Sequence, residues 1–211
     1  MIENLLIGLP GARPGGLVLT ILYAVAAGWG ALLLGFAYAT IGVVLPRASL
    51  ALQAASAFLS GVPLLLLVFL LAQLSSLSVG VAGLLALLLY SFAHVSEVLR
   101  SFLASYPTSL TDQARVMGMG PVREWLRLRI PWTLRHAWGA VGTHWVSLLK
   151  DTGALVVLGI GELTTVAKAL GETPAGANQW VTVLVSAAGL YLAATLVLIW
   201  FLRWAERSMA C

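Results

Sequence analysis

Charge is what this chain has least of. Of its 211 residues, 9% are Asp, Glu, Lys or Arg, against 60% hydrophobic, and mean hydropathy is +0.97. Soluble domains run near 25% charged, so an ordinary water-facing surface is excluded. Cysteine is almost missing as well: Cys211, the last residue, is the only one. That excludes an internal disulfide and any metal cage built from thiolates. A basic leader is also lacking. The first 15 residues contain Glu3 and no run of positive charge, so the first apolar stretch reads as a retained membrane span rather than a cleaved signal.

What is present is long, uncharged sequence. Residues 14–46, 48–96 and 173–202 contain no Asp, Glu, Lys or Arg. A helical crossing takes about 20 apolar residues. The first run holds one span, near residues 16–38. The second is long enough for two, near 48–72 and 79–99, divided at Q-L-S-S-L-S (73–78). The third holds one, near 180–202. A fifth, near 136–160, is less apolar because it carries Lys150 and Asp151. Transmembrane β-strands alternate polar and apolar positions, and residues 64–71 (LLLLVFLL) do not. The expectation is an all-α membrane protein with five transmembrane helices, forming one domain over residues 1–211.

The basic residues orient it. With residues 105–135 placed in the cytoplasm, Arg47, Arg100, Arg115, Arg123, Arg127, Arg129, Arg135, Arg203 and Arg207 lie inside, and Arg13 and Lys168 outside. That imbalance follows the positive-inside rule and puts the N-terminus outside and the C-terminus in the cytoplasm. The formal charge of +4 has the same origin, and nucleic acid is not an expected partner.

Residues 111–135 (TDQARVMGMGPVREWLRLRIPWTLR) carry five arginines and two acids. Such a segment cannot lie in hydrocarbon. Pro107, Thr108 and Ser109 offer a helix start, with Asp112 at capping-box spacing from Ser109. Gly118, Gly120 and Pro121 end that helix, and residues 122–128 suit a second piece that Pro131 would break. Ala114 and Gly118, four apart, suggest a small-residue face open to a partner.

The spacing resembles a known motif. Permease subunits of binding-protein-dependent ABC importers carry E-A-A, then Gly six residues after the Glu, then Pro thirteen residues after the Gly. Here Asp112, Gln113 and Ala114 stand at E-A-A, Gly118 at the Gly, and Ile130-Pro131 at the closing pair. Asp replaces Glu, and Gln replaces the first Ala. S-L-L-K-D-T (147–152) with L-G-I-G-E-L-T (158–164) is similar to a stretch of the histidine and glutamine type of these permeases. S-E-V-L-R (96–100) and Gly61-Val62-Pro63 are similar to others, although Ser60 stands where that type has Arg. The resemblance implies a multi-pass protein of the bacterial inner membrane, with residues 105–131 forming a cytoplasmic coupling helix between the third and fourth spans. It implies several partners: a cytoplasmic ATPase dimer holding ATP and Mg, a second permease chain (identical or homologous), an extracytoplasmic solute-binding protein, and lipid. Asp112, Gln113, Ala114, Gly118, Ile130 and Pro131 would be its ATPase-coupling residues. The chain itself is expected to bind no cofactor or metal: Lys150 and Lys168 follow Leu149 and Ala167, so a G-K-[ST] phosphate loop is absent.

Ionisable groups inside spans mark candidate pathways. Tyr90, His94 and Glu97 share one helical face, and His144, Ser147 and Asp151 another. His94, Glu97, His144, Ser147 and Asp151 are therefore substrate-path candidates, beside a reading in which Glu97 only pairs with Arg100. Gly61 and Pro63 are hinge candidates, with a kink expected at the proline. Gly28, Gly30 and Gly35 permit close helix contact, within the chain or across a dimer. Most tryptophans fall near span ends, where they would anchor at the interface. Residues 161–178 are expected outside, with a short helix near 162–170.

Two other functions remain open. An intramembrane enzyme would use His94, His136 or His144 with a carboxylate, yet neither H-E-x-x-H nor G-x-S-x-G occurs. A scaffold that merely recruits a cytoplasmic partner would explain the polar segment but not the two polar faces.

Overall fold

A computed structural model describes residues 1–9, 15–74 and 76–210; Arg13, Ser75 and Cys211 lie outside the described residues. The regular elements among them are all helical, apart from one bridge between Gly16 and Glu162. The order is α1 (Ile2–Ile7), α2 (Gly16–Val44), α3 (Pro46–Gly61), α4 (Leu64–Leu74), α5 (Val79–Ala104), α6 (Thr108–Val116), α7 (Pro121–Glu124), a π-helical turn (Trp125–Arg129) and α8 (Ile130–Asp151). A 3-10 segment (Thr152–Leu158), α9 (Leu163–Gly171), α10 (Pro174–Ala177) and α11 (Trp180–Ala210) complete it.

Among the described residues, three helices are long and apolar enough to cross a bilayer: Gly16–Val43, Val79–Ala104 and Trp180–Ser208. They outrun the spans drawn from the sequence. At 1.5 Å per residue, the 29 residues of α2 reach about 44 Å, past a hydrocarbon core of about 30 Å. The fourth candidate is broken. Instead of one helix over 48–72 with a kink, α3 and α4 meet at 98°. Pro63 is the cause. It withholds an N–H and also disfavours helical backbone at the residue before it, and Val62 accordingly sits extended at φ −82, ψ 121. At 22 residues α8 is long enough to span, but it carries Arg135, His136, His144, Lys150 and Asp151.

At the centre lies α5, with Ala82, Gly83, Ala86, Leu87, Ser91, Ala93, Val95, Ser96, Leu99 and Leu103 buried. These are mostly small or branched residues, which let helices approach where lipid removes the hydrophobic drive between them. The glycines of α2 show this from the other side. A Cβ on Gly30 would lie 2.9 Å from Leu88, one on Gly35 3.2 Å from the Ser96 nitrogen, and one on Gly28 3.1 Å from the Trp145 ring. They serve packing inside the chain. Trp145 is buried, while Trp29, edge-on to it, is 45% exposed.

The short helix expected near 162–170 is α9, and its start is knotted into the bundle. Glu162 is fully buried and caps α9: it accepts from the Thr164 and Thr165 backbone N–H groups at 2.8 and 2.7 Å, from Thr165 Oγ1 at 3.0 Å and from the Tyr191 hydroxyl of α11 at 3.0 Å. Gly16 N–H donates to the Gly161 carbonyl, and Leu163 N–H to Thr20 Oγ1. Four donors satisfy a carboxylate that would otherwise be very costly to bury.

Candidate functional site: the α6 corner and the polar seam

α6 starts at Thr108 after Pro107, and no side chain caps it, so the capping box expected at Ser109 and Asp112 does not form. Its end is a Schellman turn. Gly118 N–H donates to the Arg115 carbonyl at 2.9 Å and Met119 N–H to the Ala114 carbonyl at 2.9 Å, with Gly118 at φ +72. One face of α6 rests on the chain itself: Ala114 is fully buried, and Leu110 and Thr111 are half-buried. This corrects the expectation of a partner-facing Ala114–Gly118 surface. Four residues apart is one helical face only while the helix lasts, and it stops before Gly118. What faces out is Asp112, Gln113 and Gly118, together with Val116 (89% exposed), Met117 (65%), Val122 (71%) and Leu126 (59%).

Pro131 does not break the second helix either. α7 runs through the π turn into α8, with Ile130 N–H donating five residues back to the Trp125 carbonyl. The wide turn falls just before the residue that has no N–H to give, so the helix passes through it. Ile130 is half-buried and Pro131 exposed.

The second candidate region lies between α5 and α8. His94 and His144 stack, 5.2 Å between centroids and 12° between planes, with Tyr90 4.6 Å from His94. His94 Nδ1 donates to the Tyr90 carbonyl at 2.9 Å, and His144 Nε2 shares a 2.9 Å hydrogen bond with Ser91 Oγ. The other path candidates stand apart from this stack. Glu97 is exposed and held by both nitrogens of an Arg100 fork, the local pairing weighed above. Ser147 is exposed. Asp151, half-buried at the end of α8, lies within electrostatic reach of His94 and Tyr90. Lys150 lines a cleft of about 410 Å³ with Thr164, Tyr191 and Thr195. Of the hinge pair, Gly61 closes α3 with open space where its Cβ would be, and Pro63 follows the break. No cluster of three or more His, Cys, Asp or Glu with metal-holding geometry occurs among the described residues.

Sequence reasoning passed over Ser91, which anchors His144, and the group around Arg129 described below. Neither follows from periodicity, because each joins residues on different helices.

Residues 31–210 match the family described as the binding-protein-dependent transport system inner membrane component. The chain belongs to that family. Among relatives, the octopine transport system permease protein OccQ of Rhizobium meliloti is 33% identical over 184 residues, covering 76% of each chain. The arginine ABC transporter permease protein ArtQ of Escherichia coli K12 is 30% identical over 115 residues, 54% of this chain and 47% of that one. The glutamine transport system permease protein GlnP of the same organism is 28% identical over 131 residues, 61% and 57%. The matched stretch thus spans about half the length of the latter two. The fold of this inner-membrane component is that of solved ABC transporter chains. An amino acid ABC transporter with histidines superposes at TM-score 0.78 and 22% identity over 90% of this chain and 91% of that one. The MetNI methionine ABC transporter in an inward-facing conformation superposes at TM-score 0.78 and 16% identity over 92% and 94%.

Proposed function

We propose that the chain is the permease subunit of an ATP-driven importer of a polar amino acid, with the α6 corner as its coupling element. The observation that carries this is the corner itself. A short stiff helix ends in a glycine turn at the motif's position, seated on its own chain through Ala114 and presenting Val116, Met117, Val122 and Leu126 to water. Apolar side chains gathered on a segment too polar for lipid mark a protein contact. The partner of fitting chemistry is a cytoplasmic ATPase.

In this reading the five crossings are α2, the broken pair α3–α4, α5, α8 and α11. The N-terminus is outside and the C-terminus inside, as the nine inward arginines favour. The chain pairs with a second permease, identical or homologous, and takes solute from an extracytoplasmic binding protein. ATP and Mg sit on the ATPase. Uphill import needs two conformations favoured by different ligand states. Closure of the ATPase dimer on ATP supplies the bias, and the corner passes it into the bundle. The His94–His144 seam, with Asp151 and Ser147 further along α8, is the candidate lining of the path. The solute class rests on relatives named for arginine, glutamine and octopine.

The test is reconstitution in proteoliposomes with the cognate ATPase and receptor, offering the twenty amino acids together. ATP-dependent accumulation of at least one is expected. A purified complex carrying no ATPase chain and accumulating nothing would refute the proposal. Turnover of a substrate by the chain alone would favour the enzyme reading.

A further inference from the structure

Arg129 sits where the corner joins the long helix. Its guanidinium carbon is 4.7 Å from the centroid of the Tyr106 ring and 5.0 Å from that of Trp125. Its Nη2 donates to Thr111 Oγ1 at 3.4 Å and lies 3.8 Å from Glu124 Oε1. Thr111 Oγ1 donates in turn to that same Glu124 oxygen at 2.9 Å. Tyr106 also packs edge-on against Trp132 of α8, at 5.4 Å and 89°. One cation therefore touches the exit of α5 (Tyr106), α6 (Thr111), α7 (Glu124) and the π turn (Trp125).

Its neighbours behave otherwise. Arg115, Arg123, Arg127 and Arg135 are exposed, and the bridge from Arg115 to Asp112 joins two groups each more than 70% open to solvent. Those residues satisfy the charge rule for a cytoplasmic loop. Arg129, 21% exposed, is withdrawn from water at a cost that orientation alone does not demand. A guanidinium suits the place because its flat face stacks on rings while its edge donates in plane, which an ammonium cannot do. The cluster also keeps spare capacity: Arg129 Nε and the Tyr106 hydroxyl are buried without partners. Burial raises the Tyr106 pKa and Glu124 adds to that, against Arg129, so the ring stays neutral beneath the cation. An unused donor and an unused hydroxyl let such a joint re-pair when one element shifts.

We propose that Arg129 is a positioning residue of the coupling step, carrying displacement of α6 into α5 and α8, and so to the His94–His144 seam, without itself touching ATPase or solute. This rests on the functional reading above, since without a docked ATPase there is nothing to relay. The experiment compares wild type, Arg129→Gln and Arg129→Lys in proteoliposomes with ATPase and receptor, the probe being a mixture of the twenty amino acids. Copurified ATPase, basal hydrolysis, solute-stimulated hydrolysis and uptake are measured across ATP concentration. The Gln variant should keep its ATPase, and keep basal rate and half-saturating ATP within about twofold, while maximal stimulated hydrolysis and uptake fall about tenfold or more, a typical coupling loss. The Lys variant should recover less than about half of that loss, having charge without the plane. Stimulated hydrolysis and uptake near wild type in the Gln variant would overturn the inference. So would loss of the ATPase from its complex, which would make Arg129 a folding or docking residue, or full activity in the Lys variant. A wild-type complex with no ATPase bound would instead sink the functional reading, and this inference with it.

Discussion

Glu162 and Glu97 are the same side chain held in opposite ways, and the contrast extends to the regions around them. Glu162 is sealed among Thr164, Thr165 and Tyr191, where α2, α9 and α11 meet. Glu97 stands in the open with Arg100 one turn along its own helix. Around Glu162 every carboxylate oxygen is used within the chain. Around the α6 corner, large apolar side chains face water, and the Tyr106 hydroxyl and Arg129 Nε are buried without partners. The α9 end is complete as an isolated chain. The α6 corner is stiff but unfinished, and in the proposed function a partner finishes it.

That contrast predicts different kinds of damage. The largest loss of stability belongs to Glu162→Ala, which strands four donors in a dry site. It should cost about 3 kcal/mol or more, lowering the Tm in detergent by about 10 °C, with little change in ATPase affinity per folded molecule. If the Tm were unchanged, the α9 end would not be the rigid half. Thr20→Val, which removes the acceptor of the Leu163 N–H across two elements, should cost about 1–2 kcal/mol by the same thermal measurement. Gly118→Ala should cost about 1 kcal/mol, from the left-handed backbone alone, because nothing lies within 4 Å of the added carbon. Smallest in stability is Val116→Asp with Met117→Asp. These exposed positions should move the Tm by no more than an equivalent of about 0.5 kcal/mol, yet weaken ATPase binding about tenfold or more in a titration. A large Tm drop with normal ATPase binding would reverse the roles of the two regions.

How far the sequence foretold this depends on the range of the forces involved. Helical class, the apolar stretches at α2, α5 and α11, and the helix–corner–helix around Gly118 are written in composition and local spacing, and all are found. The short helix at α9 was legible too, but the capping role of Glu162 and its bond to Tyr191 were not. The break at Pro63 was only half legible, since the proline foretold a kink, while the extended Val62 before it turns the chain by 98°. Pro131 misled in the other direction, because a π turn lets the helix pass through it. Ala114 was misplaced for a tertiary reason: only the packed bundle shows that α6 rests on that side. Contacts such as His144 with Ser91, 53 residues apart, or Arg129 with Thr111, are set by how helices cross, and nothing local encodes them.

The central claim is that the α6 corner is the surface an ATPase grips. It is tested most directly by placing one cysteine at Met117 in a Cys211→Ser background, attaching a photo-crosslinker, and illuminating the assembled complex. A covalent adduct with the ATPase chain, formed from the cytoplasmic side, is the predicted result. An assembled complex that yields no adduct from Met117, or a Met117 that is labelled only from the opposite face of the membrane, would contradict it.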